Sequence, residues 1–362
     1  MKRIFALLFP LCILLAATVW VFAAGSTDDP LVSLSYLTDT FLEKLDEEVD
    51  DRLDESDEEL REALEAGESV VDVAATWQET RLKRGDALLG NTGTNVLMLA
   101  GGAQVFYDMG AVVDVSAGTT VPSGGALAAG HRYMVAEDTA ASFVVTSKTA
   151  VLDYQGNYSF SYSAEVDYNA MAAALKRLNL FKGSFTGYGE GFDLEVAPTR
   201  LQALIMFIRV LGEEEQALAW TGTTPFKDIE RGSQAEKYVG YAYSMGYTNG
   251  YSATQFKPAG AVNAYQYTEF VLRAMGYSSA ANTNLADTLE RAQLCGLLTA
   301  GEAAMLQADP FLRAELVYVS YYALEATMPD GENTLSDVLM DKGVFGRSDR
   351  REANALVNGW RL

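Results

Sequence analysis

One pattern occurs three times between residues 173 and 326, and a chain that repeats at this spacing folds as stacked units rather than as separate globules. In each copy a helical segment runs into a loop, and a second helix opens on a capping signal. The first copy reads AAALKRLNLFKGSFTGYGEGF, then PTRLQ, then ALIMFIRVLGEE. The second reads AEKYVGYAYSMGYTNGYSATQFKPAG, then VNAYQ, then YTEFVLRAMGY. The third reads DTLERAQLCGLLTAGEAAMLQA, then FLRAE, then LVYVSYYALEA. Self-similarity with a period of about 50 to 65 residues marks supersecondary units that bury their apolar faces only against one another.

Aligned on the second helix, Arg200, Ala264 and Arg313 share one position. Capping accounts for most of the residues around it. Thr199 with Gln202, and Asn263 with Gln266, have capping-box spacing, in which hydroxyl and amide satisfy free backbone N–H groups. Leu312 cannot cap, so Asp309-Pro310 predicts a third helix starting three residues earlier. The arginines have no such explanation, because the dipole of a helix's first turn favours negative groups. A guanidinium there suits an anionic partner: it grips carboxylate through two parallel bonds, with exposed N–H groups of the helix end alongside. An internal salt bridge is the alternative.

The run PFKDIERGSQAEKYVGYAYSMGYTNGYSATQFKPAG, followed by VLRAMGY, resembles an S-layer homology repeat, through Phe226, Asp228, Gly246, Gly250, Phe256 and Pro258. Its flanks resemble a first and a degenerate third copy, so the resemblance spans roughly residues 168–330. The family's Thr-Arg-Ala-Glu signature is matched best by Thr199-Arg200-Leu201-Gln202. The resemblance implies a helical triplet with pseudo-threefold packing. It also implies an anchor to secondary cell-wall polysaccharide, often one bearing pyruvate-ketal groups. The glycan-binding set it implies is Arg200, Arg313, Thr199, Gln202, Glu315 and Asn249. Ala264 cannot bind an anion, which implies a silent second groove. Gln202 stands where glutamate is usual, and the third copy lacks the phenylalanine-aspartate opening and the glycine-rich turn.

The whole chain predicts a multi-domain α+β protein. Residues 1–25 read as a leader: Lys2 and Arg3, an apolar stretch, then Ala23-Ala24-Gly25. The apolar run is long enough that an uncleaved anchor stays open. Residues 26–80 predict an acidic helical segment, with Leu34, Leu37, Phe41, Leu45, Val49 and Leu53 on one stripe. Its acids read as a solvated face. A calcium loop fails there for want of a turn glycine. Residues 81–165 predict a small all-β domain of about eight short strands, from β-branched runs broken by glycine turns. Three repeats follow at 168–218, 222–277 and 284–328, then a loop-rich tail at 329–362 with one helix near Glu352.

A net charge of −22 argues against nucleic acid. It leaves room for an anionic glycan read by a few local arginines. Cys12 falls in the leader, so Cys295 would be the mature protein's one thiol, a core residue in an apolar helix. With one histidine, His131, zinc sites and histidine-based triads are excluded or nearly so. The glycines from Gly85 to Gly90 are followed by Asn91-Thr92 where a phosphate loop needs lysine. Neither enzyme activity, cofactor nor metal is expected. The sequence predicts an exported cell-wall anchor whose β domain or acidic helix meets other envelope proteins. A scaffold whose worn repeats no longer bind glycan is the alternative.

Overall fold

The computed structural model describes residues 74–183, 187–279, 281, 284–308, 310–358 and 361. The leader and nearly all of the acidic segment lie outside them. The described chain is a mixed α+β structure of two antiparallel sheets and ten helices.

Eleven strands run between Ala74 and Ser161. The six-stranded sheet has the order β1 (Ala74–Lys83), β10 (Thr149–Gly156), β3 (Asn95–Ala100), β8 (Arg132–Ala136), β5 (Ala111–Asp114), β6 (Thr119–Val121). The five-stranded sheet has the order β11 (Tyr158–Ser161), β2 (Ala87–Asn91), β9 (Ala140–Val145), β4 (Ala103–Phe106), β7 (Gly125–Ala126). β3 alternates half-buried with buried residues, so Val96 and Met98 point inward from one sheet. Leu88, Val105 and Phe143 join them from the other in one apolar cluster. The strand count exceeds the expected eight because β6 and β7 hold only three and two residues, too few to leave an alternation in the sequence, and because β1 begins at Ala74, inside the 26–80 segment expected to be helical.

The helices are α1 (Tyr168–Arg177), α2 (Arg200–Val210), α3 (Glu214–Ala219), α4 (Gln234–Ser244), α5 (Ala264–Ala274), α6 (Thr288–Leu294), α7 (Ala300–Ala308), α8 (Arg313–Ala323), α9 (Leu335–Asp341) and α10 (Arg347–Leu356). One apolar cluster reaches from Tyr168 to Ala353, so no repeat has a core of its own. α2, α5 and α8 are each 11 residues long and begin at the three aligned positions. α8 therefore starts at Arg313 and not three residues earlier. Glu315 replaces the missing cap by accepting from the Leu312 N–H at 2.6 Å. The tail holds two helices instead of one, because Thr334 caps α9 with its hydroxyl.

The helix starts are stitched to neighbouring repeats. The Arg200 and Leu201 amides donate to the Gly260 and Pro258 carbonyls, at 2.7 and 3.1 Å. The Arg313 and Ala314 amides donate to Val196 and Leu194, at 2.9 and 3.1 Å. Pro258 and Gly260 hold the same places before α5 that Leu194 and Val196 hold before α2. One seam thus joins the first repeat to the second, and a like seam joins the third to the first.

Candidate functional site

Arg200 is the first residue of α2, and its cap is complete. Thr199 Oγ1 accepts from the Gln202 N–H at 3.2 Å, and Gln202 Oε1 accepts from the Thr199 N–H at 3.0 Å. Thr199 and Gln202 are thereby committed to the backbone. The first amides of α2 are committed too, to the seam carbonyls. The expected exposed N–H donors are therefore spent, and any anion site must be built from side chains.

The Arg200 side chain reaches across to the second repeat. It is 7% exposed and lies over the Phe256 and Phe270 rings, 5.2 and 5.5 Å from their centroids. One terminal nitrogen donates to the Gly250 carbonyl at 3.4 Å, while Nε has no hydrogen-bond partner. No carboxylate among the described residues pairs with it. Burial lowers its pKa, and the nearby Arg273 lowers it further. A buried guanidinium without a counter-charge is costly, and an incoming carboxylate would relieve it.

That guanidinium borders a cleft of about 430 Å³ lined also by Asn249, Tyr251, Gln266, Glu269 and Arg273. Glu269 is not free to serve Arg200, because it pairs with Arg273 at 3.0 Å and Arg291 at 2.6 Å and accepts from Ser278 at 2.7 Å. Gln266 departs from the expected capping box. Asn263 accepts from its amide at 3.0 Å, but the Gln266 side-chain oxygen has no partner and the residue lines the cleft. Gly250 is obligatory here: its φ is +79°, and a Cβ would meet the Phe226 ring at 2.2 Å. Lys257 lies against the Tyr251 ring, 3.4 Å from its centroid. Cations thus gather locally in an acidic protein.

Arg313 begins α8 just as Arg200 begins α2, yet its surroundings differ. Its Nη1 pairs with Asp193 Oδ2 at 3.3 Å, and it sits 6.0 Å from the Phe181 ring centre. Burial lowers its pKa, and Asp193 and Glu195 oppose that shift. Glu315 is fully buried and ion-paired with Lys148 from the turn before β10. Burial raises its pKa, and Lys148 opposes the rise. Around it the β module is fastened to the first repeat. Arg81 donates to Glu195 at 2.6 Å, to the Gly189 carbonyl at 3.0 Å and to Asn169 at 2.9 Å. Thr149 donates to Glu195 at 2.7 Å.

Of the six residues singled out in the sequence, Arg200 and Asn249 come together in the cleft. Thr199 and Gln202 form the cap beside it, and Arg313 and Glu315 lie at the junction with the β module. Gln266 and Arg273 are cleft residues that sequence reasoning missed. Arg273 did leave a signal, since it stands as far after Ala264 as Arg209 stands after Arg200. Each leading arginine feels the trailing arginine of the next repeat: Arg200 feels Arg273, and Arg313 feels Arg209. Among the described residues no group of three His, Cys, Asp or Glu could hold a metal ion.

Residues 225–263 match the family model described as the S-layer homology domain. The chain carries an S-layer homology domain. The match runs from Pro225 through α4 and the cleft loop to Asn263, the cap of α5. S-layer homology domains are cell-wall-binding modules rather than catalytic ones, and their presence associates the protein with the cell surface. A search of curated proteins gives no match. Among solved structures, procruciferin, an 11S globulin from Brassica napus, is 15% identical over 24% of this chain, with a TM-score of 0.16. The chain spans 22% of that protein's length, and so slight a likeness carries no argument.

Proposed function

We propose that the protein is an exported envelope component, held non-covalently on secondary cell-wall polysaccharide by the cleft at Arg200. In this reading residues 168–218, 222–277 and 284–328 are three S-layer homology units packed about a pseudo-threefold axis. The equivalent seams and the equal lengths of α2, α5 and α8 support that packing. The observation that carries the functional reading is Arg200: buried, without a carboxylate partner, and bordering a cleft half of whose lining comes from the matched residues. A ligand carboxylate, such as a pyruvate ketal, supplies the missing charge. Asn249 and Gln266 offer amides to the sugar, and Tyr251 offers a ring edge. Ala264 does not silence this groove, because its guanidinium comes from the preceding repeat.

The full chain is expected to sediment with purified cell walls and to be released when their non-peptidoglycan polymer is stripped. Loss of the charge-assisted bonds in Arg200→Ala should weaken binding by about 10- to 100-fold. Sedimentation of Arg200→Ala at wild-type levels would remove the cleft from the mechanism. The competing reading, a scaffold with worn repeats, draws on Arg313, whose guanidinium already has an internal acid. A scaffold would stay in the supernatant.

A further inference from the structure

We infer that Asp193 is an internal carboxylate ligand of Arg313, closing the second arginine groove and leaving the protein with one working glycan site. The inference rests on the carboxylate-binding reading of the Arg200 cleft. Asp193 and Lys257 occupy the same place in two loops, one leading to α2 and the other to α5. Both adopt the left-handed backbone, with φ of 50° and 60°. The loops therefore present these two side chains from equivalent backbone positions. In the loop that faces Arg200 the side chain is a lysine, turned against Tyr251, so the guanidinium keeps its unmet charge. In the loop that faces Arg313 it is an aspartate, 6% exposed, with Oδ2 at 3.3 Å from Nη1.

The backbone around Asp193 is held from both sides. Leu194 and Val196 accept the first amides of α8, and Glu195 between them is gripped by Arg81 and Thr149 of the β module. Asp193 thus has little freedom to swing away and expose Arg313 to solvent. The groups facing Arg313 are Asp193, Glu195 and Arg209, so the local balance is neutral to acidic. At Arg200 the corresponding neighbour is Arg273, and the one carboxylate lining that cleft, Glu269, is already held by Arg273 and Arg291. An acidic saccharide meets attraction at the first groove and a resident carboxylate at the second.

Titration calorimetry on the full chain tests this, with a synthetic disaccharide bearing a 4,6-pyruvate ketal as probe. Wild type should bind one equivalent, and Arg200→Ala should bind about 100-fold more weakly, below detection at the same concentrations. In the Arg200→Ala background, Asp193→Gly, which suits a positive φ, should restore one equivalent within about tenfold of the wild-type Kd. Adding Arg313→Ala should abolish it again. Asp193→Asn, which also tolerates the left-handed backbone, should restore binding more weakly. If the Arg200→Ala/Asp193→Gly and Arg200→Ala/Asp193→Asn proteins melt like wild type and bind nothing, Asp193 is not the lock, although the Arg200 cleft stands. If Arg200→Ala binds as wild type does, or wild type binds no probe, the cleft reading falls and takes the lock with it. Two equivalents on the wild type would overturn the lock directly.

Discussion

Arg200 and Arg313 hold the same place in the repeat, lead helices of the same length and donate backbone bonds to matching carbonyls, yet one borders a cleft and the other braces a junction. The residue across the seam makes the difference. Lys257 leaves the first guanidinium without a counter-charge, and Asp193 neutralises the second. Position within a repeat therefore sets where a side chain points, while the facing loop sets what it does there. The same contrast appears in the glutamines and glutamates of the first turn. Gln202 and Glu315 return a bond to their caps, and Gln266 turns into the cleft.

The contrast can be tested at several sites, and the largest effect is expected where the third repeat meets the β module. Lys148→Met strands the buried Glu315 carboxylate and should lower unfolding free energy by about 3 kcal/mol in urea titration. Lys148→Met with Glu315→Leu should recover most of that loss. If the single variant were as stable as wild type, the pair would be no structural strut.

Next come the two arginines. Arg313→Met leaves Asp193 buried and should cost about 1 to 3 kcal/mol of stability with wall binding intact. Arg200→Met should do the reverse, losing binding while stability holds or rises, because it removes a buried charge without a partner. Equal stability losses in both would erase the distinction between cleft and strut.

Gly250→Ala should cost about 1 to 3 kcal/mol, through a disfavoured φ and a clash with Phe226, and should weaken wall binding as the loop shifts. Thermal melts and sedimentation would register both.

The smallest effect concerns acid. Burial alone would raise the Glu214 carboxyl, but bonds from Lys182, Tyr238 and Arg209 hold it down at about 2. A depressed carboxyl stabilises the fold above its unfolded value of 4.5, and that contribution fades as pH falls from there towards 2. Glu214→Gln should flatten that part of the stability profile. An unchanged slope would show that the Arg209 side of the groove at Arg313 owes nothing to this acid.

Much of the helical fold was legible, because caps are local. Thr199 and Asn263 each announce a helix through a side chain that reaches only its own first turn, whereas the cap at Thr334 went unread. Leu312 misled for the same reason: the sequence offers no cap there, and the substitute is a buried glutamate whose counter-ion, Lys148, comes from a different fold layer. The shortest strands were illegible since two or three residues carry no period. At the cleft, Arg200 could be named from the repeat pattern and Asn249 from the family resemblance. The division between Arg200 and Arg313 could not, because it depends on two loop residues in left-handed conformation that meet their arginines only across seams.

The fastening of the β module also fixes a route for mechanical load. Tension on anything the strands carry would pass through Arg81, Thr149 and Lys148 into Glu195 and Glu315, at the seam between the third and first repeats. In the proposed reading the cleft at Arg200, at the other described seam, holds the wall, so the same pull crosses the first repeat and ends on that cleft.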